Sequence, residues 1–308
     1  MPLVSVIIPN YNHSPYLVQR IDSVLNQTFQ DFEVIILDDC STDNSREIIE
    51  PYRNHPKVMH IEYNTINSCS PFRQWKKGID LAKGEYIWIA ESDDWADINL
   101  LEEAIKAYVD SEIDLVYFKS IRVNSDNIEI DQLAWWYDDL SSTKWKSDYT
   151  TTASEEIRNA LMWKCTIVNA SAVVFKLNDK VFNLLESIKD FKKTGDWLFW
   201  LSYLNDSNKI QYLTSAKNYF RYHNNTTRNS IPYDRNTEIL KIYQWICTNI
   251  LNKKEDWNLL KYFIEKHIYF QPRRYILKNL IIVLSNLKYS AYFSLGVLLY
   301  YLGLVKNK

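Results

Sequence analysis

Glycine and proline are scarce in this chain, at five and eight residues out of 308. Five glycines cannot build a GxGxxG dinucleotide loop or a GxxxxGK[ST] phosphate loop, and neither string occurs. The usual nicotinamide enzymes and P-loop ATPases are therefore excluded. Cysteine is sparse too. Cys40, Cys69, Cys165 and Cys247 are scattered and form no CxxC pair, so structural zinc is not expected. Free or buried thiols suit a reducing compartment, which makes a cytoplasmic location the expectation. The run MPLVSVIIPNYN has no basic segment and places Pro9 and Asn10 where a leader peptide stays apolar. It reads as a strand.

Hydrophobic residues make up 46% and charged residues 24%, so the chain is neither disordered nor collagenous. The net charge is −2, and from Lys266 onward there are seven Lys or Arg and no acid, which leaves the first 265 residues at −9. A basic tail on an acidic body points to an anionic partner, a membrane surface rather than nucleic acid. Tyr289 to Val305 is 17 residues without charge, flanked by Lys288 and Lys306. It falls short of the roughly 20 apolar residues of a span. A helix lying in the membrane interface fits better, and a helix packed on the body is the alternative.

Short runs rich in β-branched residues alternate with helical patterns. Leu3–Ile8, Phe32–Leu37, Val58–Glu62, Tyr86–Ala90 and Asp114–Lys119 read as strands. Helices are expected from Ser14-Pro15, after Asp43, over Pro71–Ala82 with Gly84 as C-terminal cap, and from Asp97. Five alternations in about 120 residues predict an α/β fold, a mostly parallel sheet flanked by helices. Residues 120–230 are less regular, with a strand near Ala172–Phe175, a helix near Asp179–Ile188 and a strand pair ending at His223. From about 235 the pattern is helical. The expected division is 1–230, split at about 120 into a regular half (1–120) and a less regular half (121–230), followed by a helical C-terminal region (231–308).

Ligands of such sheets bind at the carboxyl ends of the strands, and acidic loops stand there. Asp38-Asp39 could accept hydrogen bonds from a base or ribose; equally, Ser41 or Asp43 could simply cap the next helix. Glu91, Asp93 and Asp94 repel one another unless a cation joins them, and Mg²⁺ or Mn²⁺ suits oxygen ligands. The alternative is a helix start. Asp196, beside Trp197 and Trp200, could be a general base or a helix cap. Arg221, His223 and Arg228 could face phosphate, or could be structural.

Four strings together resemble the inverting family 2 glycosyltransferases of the GT-A fold. They are VSVIIPNYNHSPYL (4–17), SVLNQTFQDFEVIILDDCSTDNS (23–45), GIDLAKGEYIWIAESDDW (78–95) and TGDWLFW (194–200). The resemblance implies a sugar nucleotide as donor, most often a uridine diphosphate sugar, and a glycan or lipid-linked acceptor in bacterial surface-polysaccharide assembly. It implies that Pro9 and Tyr11 line the nucleotide pocket, that Asp39 contacts the base edge and that Asp38 supports its loop. The ESDD string resembles the family's DxD motif, with Glu91 where the first Asp is usual. It implies metal binding by Asp93 or, in a shifted alignment, Asp94. Asp196 matches the catalytic base, and His223 resembles a histidine that faces metal or diphosphate in some relatives. Trp135, Trp136, Trp163 and Trp197 are candidates for stacking on acceptor sugar, or for core packing. Gln271–Tyr275 is similar to the QxxRW string of processive synthases, here taken as coincidence. A sugar-1-phosphate nucleotidyltransferase would need a Gly-rich basic loop, and residues 8–16 hold no Gly, Lys or Arg. A non-catalytic carbohydrate-binding protein on the same fold is the other alternative.

Overall fold

The computed structural model describes residues 1–110, 112–131, 134–223, 232–251, 259 and 262. In chain order the elements are β1 (Val4–Asn10), α1 (Ser14–Leu25), β2 (Phe32–Asp38), α2 (Ser45–Ile49), β3 (Val58–Tyr63), α3 (Pro71–Leu81) and β4 (Tyr86–Ile89). Then come β5 (Trp95–Ala96), α4 (Leu100–Ala107), β6 (Ile113–Val123), β7 (Glu129–Asp131), α5 (Ala134–Tyr137), β8 (Tyr149–Thr152) and α6 (Ala153–Glu156). The rest comprises β9 (Val173–Lys176), α7 (Lys180–Ile188), α8 (Gly195–Asn205), β10 (Lys209–Arg221) and α9 (Pro232–Asn249).

The strands form one sheet in the order β3-β2-β1-β4-β9-β6-β10-β5, with β7 added to β6 and β8 to β10. Strands β1 to β4 are mutually parallel, and β10 runs parallel to β6. Strand β9 enters antiparallel between β4 and β6. The sheet is thus the expected mostly parallel one, but its fourth and fifth expected strands are not neighbours. β9, from the second half of the chain, joins them, so residues 1–120 and 121–230 share one sheet.

Period-two alternation divides the core between the two faces. Val4, Val6 and Ile8 pack with Val34, Ile36 and α1 on one side. Ile7, Ile35 and Leu37 pack on the other with α3, α8 and α9. Phe72, Trp75, Phe199 and Trp200 meet there, mostly ring edge to ring face, at centroid distances of 4.9 to 6.2 Å.

Several expectations are corrected. Gly84 does not cap α3, which ends at Leu81 with Ala82 extended. Gly84 is needed because β1 passes against it: a Cβ there would lie 2.5 Å from the Ser5 nitrogen. Strand β6 runs on to Val123 because β10 pairs with it along its length. The expected strand pair is this single strand, β10. Asp97 does not begin a helix. It accepts from the Lys217 nitrogen (3.0 Å) and the Tyr219 hydroxyl (3.2 Å), and α4 starts at Leu100. The four cysteines are free. Among the described residues no helix is long and apolar enough to cross a membrane. The 289–305 run, Gln271–Tyr275 and Arg228 lie outside the described residues.

Candidate active site

The carboxyl ends of β1, β2 and β4 release three polar loops side by side, and β10 brings a fourth segment to them. The first two loops are sewn together. Asn10 Nδ2 donates to Asp38 Oδ2 at 2.7 Å, and the Ser41 nitrogen donates to Asp38 Oδ1 at 2.9 Å. The Asn12 nitrogen donates to Ser41 Oγ, and the Thr42 nitrogen to Asn12 Oδ1. Asp38 therefore braces its loop. Asp43 accepts from the nitrogens of Ser14 and Ser45, tying the starts of α1 and α2 to each other.

Asp39 is enclosed by donors. Its buried carboxylate accepts from Asn64 Nδ2, Gln74 Nε2, and both the nitrogen and hydroxyl of Ser68, at 2.6 to 3.1 Å. Four donor groups meet the roughly four lone pairs of a carboxylate. These bonds tie the end of β2 to the 64–68 loop and to α3. Tyr11, by contrast, is nearly half exposed at the end of β1, while Pro9 lies buried within that strand.

The ESDD acids also divide their tasks. Asp94 is buried, accepts from Asn169 Nδ2 (2.7 Å) and the Arg221 nitrogen (3.0 Å), and stands 3.9 Å from the Arg20 guanidinium. Glu91 turns away to accept from Trp75 Nε1 at 2.8 Å. Burial, with the Asp93 charge adding to it, pushes its carboxyl up to about 8. Glu91 and Asp94 thus bond to different partners. At Asp93 burial opposes the charge, yet His13 and His223 outweigh this and hold its carboxyl well below the ordinary range. His223 Nε2 lies 3.2 Å from Asp93 Oδ2, and ligand atoms of His13, Asp93 and His223 all fall within 4.8 Å of one another. One carboxylate and two imidazoles converging in this way fit a divalent cation.

His13, absent from the residues singled out in the sequence, comes from the α1 N-terminus. Its only signal was position, one turn past a strand end. Arg20 was missed as well, although a cation at the buried spacing Leu17–Arg20–Ile21–Val24 is a visible anomaly. Arg20 is wholly buried, and burial lowers its pKa to about 10, so it stays charged at neutral pH. It donates through Nε to the Glu91 carbonyl at 2.8 Å. Arg221 does not face outward toward phosphate. It is buried between the Tyr16 and Trp95 rings and donates to the Asp93 carbonyl and to Gln19.

Asp196 occupies the first turn of α8, half-buried, with Oδ1 accepting from the Trp197 nitrogen at 2.8 Å. Gly195 is required beneath it, since a Cβ would lie 2.6 Å from the Phe72 ring. Glu238 of α9 holds the preceding turn: its buried carboxylate accepts from the nitrogens of Lys192, Lys193 and Thr194 and from the Thr194 hydroxyl. Trp197 is buried, with Nε1 bonded to the Leu161 carbonyl, so it is a packing residue and no sugar platform. Trp136 and Trp163 are half-buried with their indole N–H groups bonded to the Cys165 and Arg158 carbonyls. The Trp135 side chain lies outside the described residues.

A mostly parallel sheet with acids and histidines at its carboxyl edge defines a GT-A-type α/β domain. Residues 5–165 match the glycosyl transferase family 2 model, and the chain belongs to that family. Among curated relatives, it is 25% identical over 274 residues to the poly(ribitol-phosphate) beta-N-acetylglucosaminyltransferase TarS of Staphylococcus aureus. That match covers 86% of this chain but only 44% of TarS, so the chain spans under half of that relative's length. The crystal structure of S. aureus TarS in complex with UDP-GlcNAc superposes with a TM-score of 0.68 at 20% identity, covering 92% of this chain and 81% of that one. The mannosyltransferase PcManGT of Pyrobaculum calidifontis, in complex with GDP-Man and Mn²⁺, gives 0.58 at 14% identity, covering 99% and 88%. These likenesses establish the fold.

The Arg20 charge beneath the ESDD loop generates a stability prediction. Arg20→Ala would leave Asp94 buried without its cation, and breaking such a pair costs about 3–5 kcal/mol. Urea unfolding should show a midpoint lowered accordingly with an unchanged slope. A loss under about 1 kcal/mol would mean that the loop does not depend on this charge.

Proposed function

We propose that the chain is a metal-dependent inverting glycosyltransferase. It moves a sugar from a nucleoside diphosphate sugar to a hydroxyl of a glycan or lipid-linked oligosaccharide, in cell-surface polysaccharide assembly. The observation that supports this most is the convergence of Asp93, His223 and His13 at the carboxyl edge of a GT-A sheet. Family membership agrees with it, as does the UDP-GlcNAc bound by TarS. A uridine diphosphate sugar is the donor we favour.

In this reading Tyr11 lies against the base and Asp39 contacts its edge, while Pro9 lines the pocket and Asp38 supports the loop. Asp93 and His223, with His13, hold Mg²⁺ or Mn²⁺. When bound, the cation neutralises charge gathering on the departing diphosphate. Asp196 takes the proton of the acceptor hydroxyl. That oxygen bonds to the anomeric carbon from the face opposite the diphosphate. The carbon–oxygen bond to phosphate breaks, the nucleoside diphosphate leaves with the electron pair, and the configuration inverts. Glu238 keeps the turn before Asp196 in place, and residues 121–230 supply the acceptor side. The 231–308 region, basic from Lys266 onward, brings the enzyme to the inner membrane face, where a lipid-linked acceptor resides.

Thermal shift with a panel of nucleoside diphosphates and their sugars, with and without Mn²⁺, tests the donor site. The expected result is stabilisation by one nucleotide that requires metal and disappears in Asp93→Ala. No stabilisation by any nucleotide would sink the reading in favour of a non-catalytic carbohydrate-binding role. Asp196→Asn should keep nucleotide binding and lose about 10² to 10⁴ in turnover, the usual contribution of a general base. Undiminished turnover would remove Asp196 from that role. The full chain should co-sediment with vesicles containing anionic lipid at low salt and release at high salt. Failure to sediment at low salt would discard the membrane part alone.

A further inference from the structure

We infer that His13 is a third protein ligand of the cation site, and that it turns the site's preference from Mg²⁺ toward a first-row transition ion. The inference rests on the reading of the site given above and deepens it. His13, Asp93 and His223 each offer one ligand atom, all within 4.8 Å of one another. Ligands about 2.0–2.2 Å from one ion stand at most roughly 4.4 Å apart, so a small contraction closes the set.

The His13 ring is oriented for this task. Its Nδ1 lies 2.8 Å from the buried Ser92 Oγ, which leaves Nε2 as the ligating atom. Ligation through Nε2 fixes the proton on Nδ1, which then donates to Ser92 Oγ. Metal-bound histidines depend on such an outer partner. The His13 and His223 rings meet edge to face at 5.4 Å, and the Tyr16 ring packs 6.3 and 5.1 Å from them. Backbone placement is equally defined. Asn12, just before His13, takes a left-handed φ of 56° and is bonded to Ser41 and Thr42.

The chemistry of the donor set then decides the metal. Mg²⁺ is hard, prefers oxygen and sheds water reluctantly. Two of the three protein ligands here are imidazole nitrogens, which favour first-row transition ions over Mg²⁺. With Glu91 bonded to Trp75 and Asp94 to Asn169 and Arg221, the string supplies one carboxylate to the ion rather than two. His13 supplies the ligand that the string does not.

The test is direct binding of Mn²⁺ to the full chain by electron paramagnetic resonance, with Mg²⁺ as competitor. Wild type is compared with His13→Ala, His13→Asp and Asp93→Ala. Metal-free melting curves establish that each variant folds. Loss of even an outer-shell partner lowers metal affinity by about 10- to 100-fold. His13→Ala should weaken Mn²⁺ at least that much and Mg²⁺ less. His13→Asp should recover binding with the preference moved toward Mg²⁺. If His13→Ala binds Mn²⁺ like wild type, with the same Mn²⁺-to-Mg²⁺ ratio, while Asp93→Ala does not, His13 is no ligand and the donor-site reading stands. If wild type itself binds no Mn²⁺, the inference and the metal dependence fall together.

Discussion

The buried guanidinium of Arg20 is the interaction on which the acidic edge of this sheet depends. An isolated charge in a protein interior is costly by several kcal/mol even after relaxation. Arg20 is fully buried and close to three acids, and each side makes the other's burial tolerable. Its Nε binds the Glu91 carbonyl, while the guanidinium faces Asp94 and, at 3.5 Å, Asn218. One side chain from α1 thereby joins the loop after β4 to strand β10. Those two segments also bring Asp93 and His223 within 3.2 Å of each other. The pairing of the last two residues follows from the placement of the first.

The same network explains why five carboxylates at one edge behave differently. Asp38, Asp39 and Asp94 are buried and spend their oxygens on backbone and amide donors. Their hydrogen bonds fasten the chain where β2 and β4 give way to loops. Glu91 sits against Trp75 with its carboxyl pushed up to about 8, an environment that discourages charge. Asp93 alone faces two imidazoles and keeps its charge. Proximity in sequence concentrated the acids, and hydrogen-bond saturation separated their roles.

Saturation is also where legibility in the sequence ends. The strands β1 to β4 and their loops were readable, because alternating apolar runs and turn residues are local signals. The position of Asp93, Asp196 and His223 near strand or helix ends was readable for the same reason. What Asp39 binds was not, since its partners Asn64, Ser68 and Gln74 come from a loop and from α3, 25 to 35 residues away. Glu238 holds the turn before Asp196 from 44 to 46 residues downstream, and no periodicity marks it. The antiparallel entry of β9 between β4 and β6 was equally invisible, because strand order is a property of long-range pairing. Mutual repulsion and family resemblance both drew attention to the ESDD string, and side-chain geometry gathers Asp93 with His13 and His223 while Glu91 and Asp94 bond elsewhere.

The two sides of the site are held by different means, and this bears on how they can move. On the nucleotide side, Asn12, Cys40 and Cys69 all adopt left-handed backbone, at φ of 56°, 63° and 58°. Non-glycine residues in that region cost of order 1–3 kcal/mol each and persist only where the surroundings over-determine them. Here they are over-determined, by the web linking Asn10, Asn12, Asp38, Asp39, Ser41 and Ser68. On the Asp196 side the turn at 192–194 donates three backbone hydrogen bonds to the single carboxylate of Glu238. That turn is also tied at its start, where Ser70 Oγ donates to the Phe191 carbonyl at 2.8 Å, and α8 behind it is buried along most of its length. The β1 and β2 loops are thus held by a web of side-chain bonds, and Asp196 by one buried carboxylate and a packed helix, so neither side moves apart from its support.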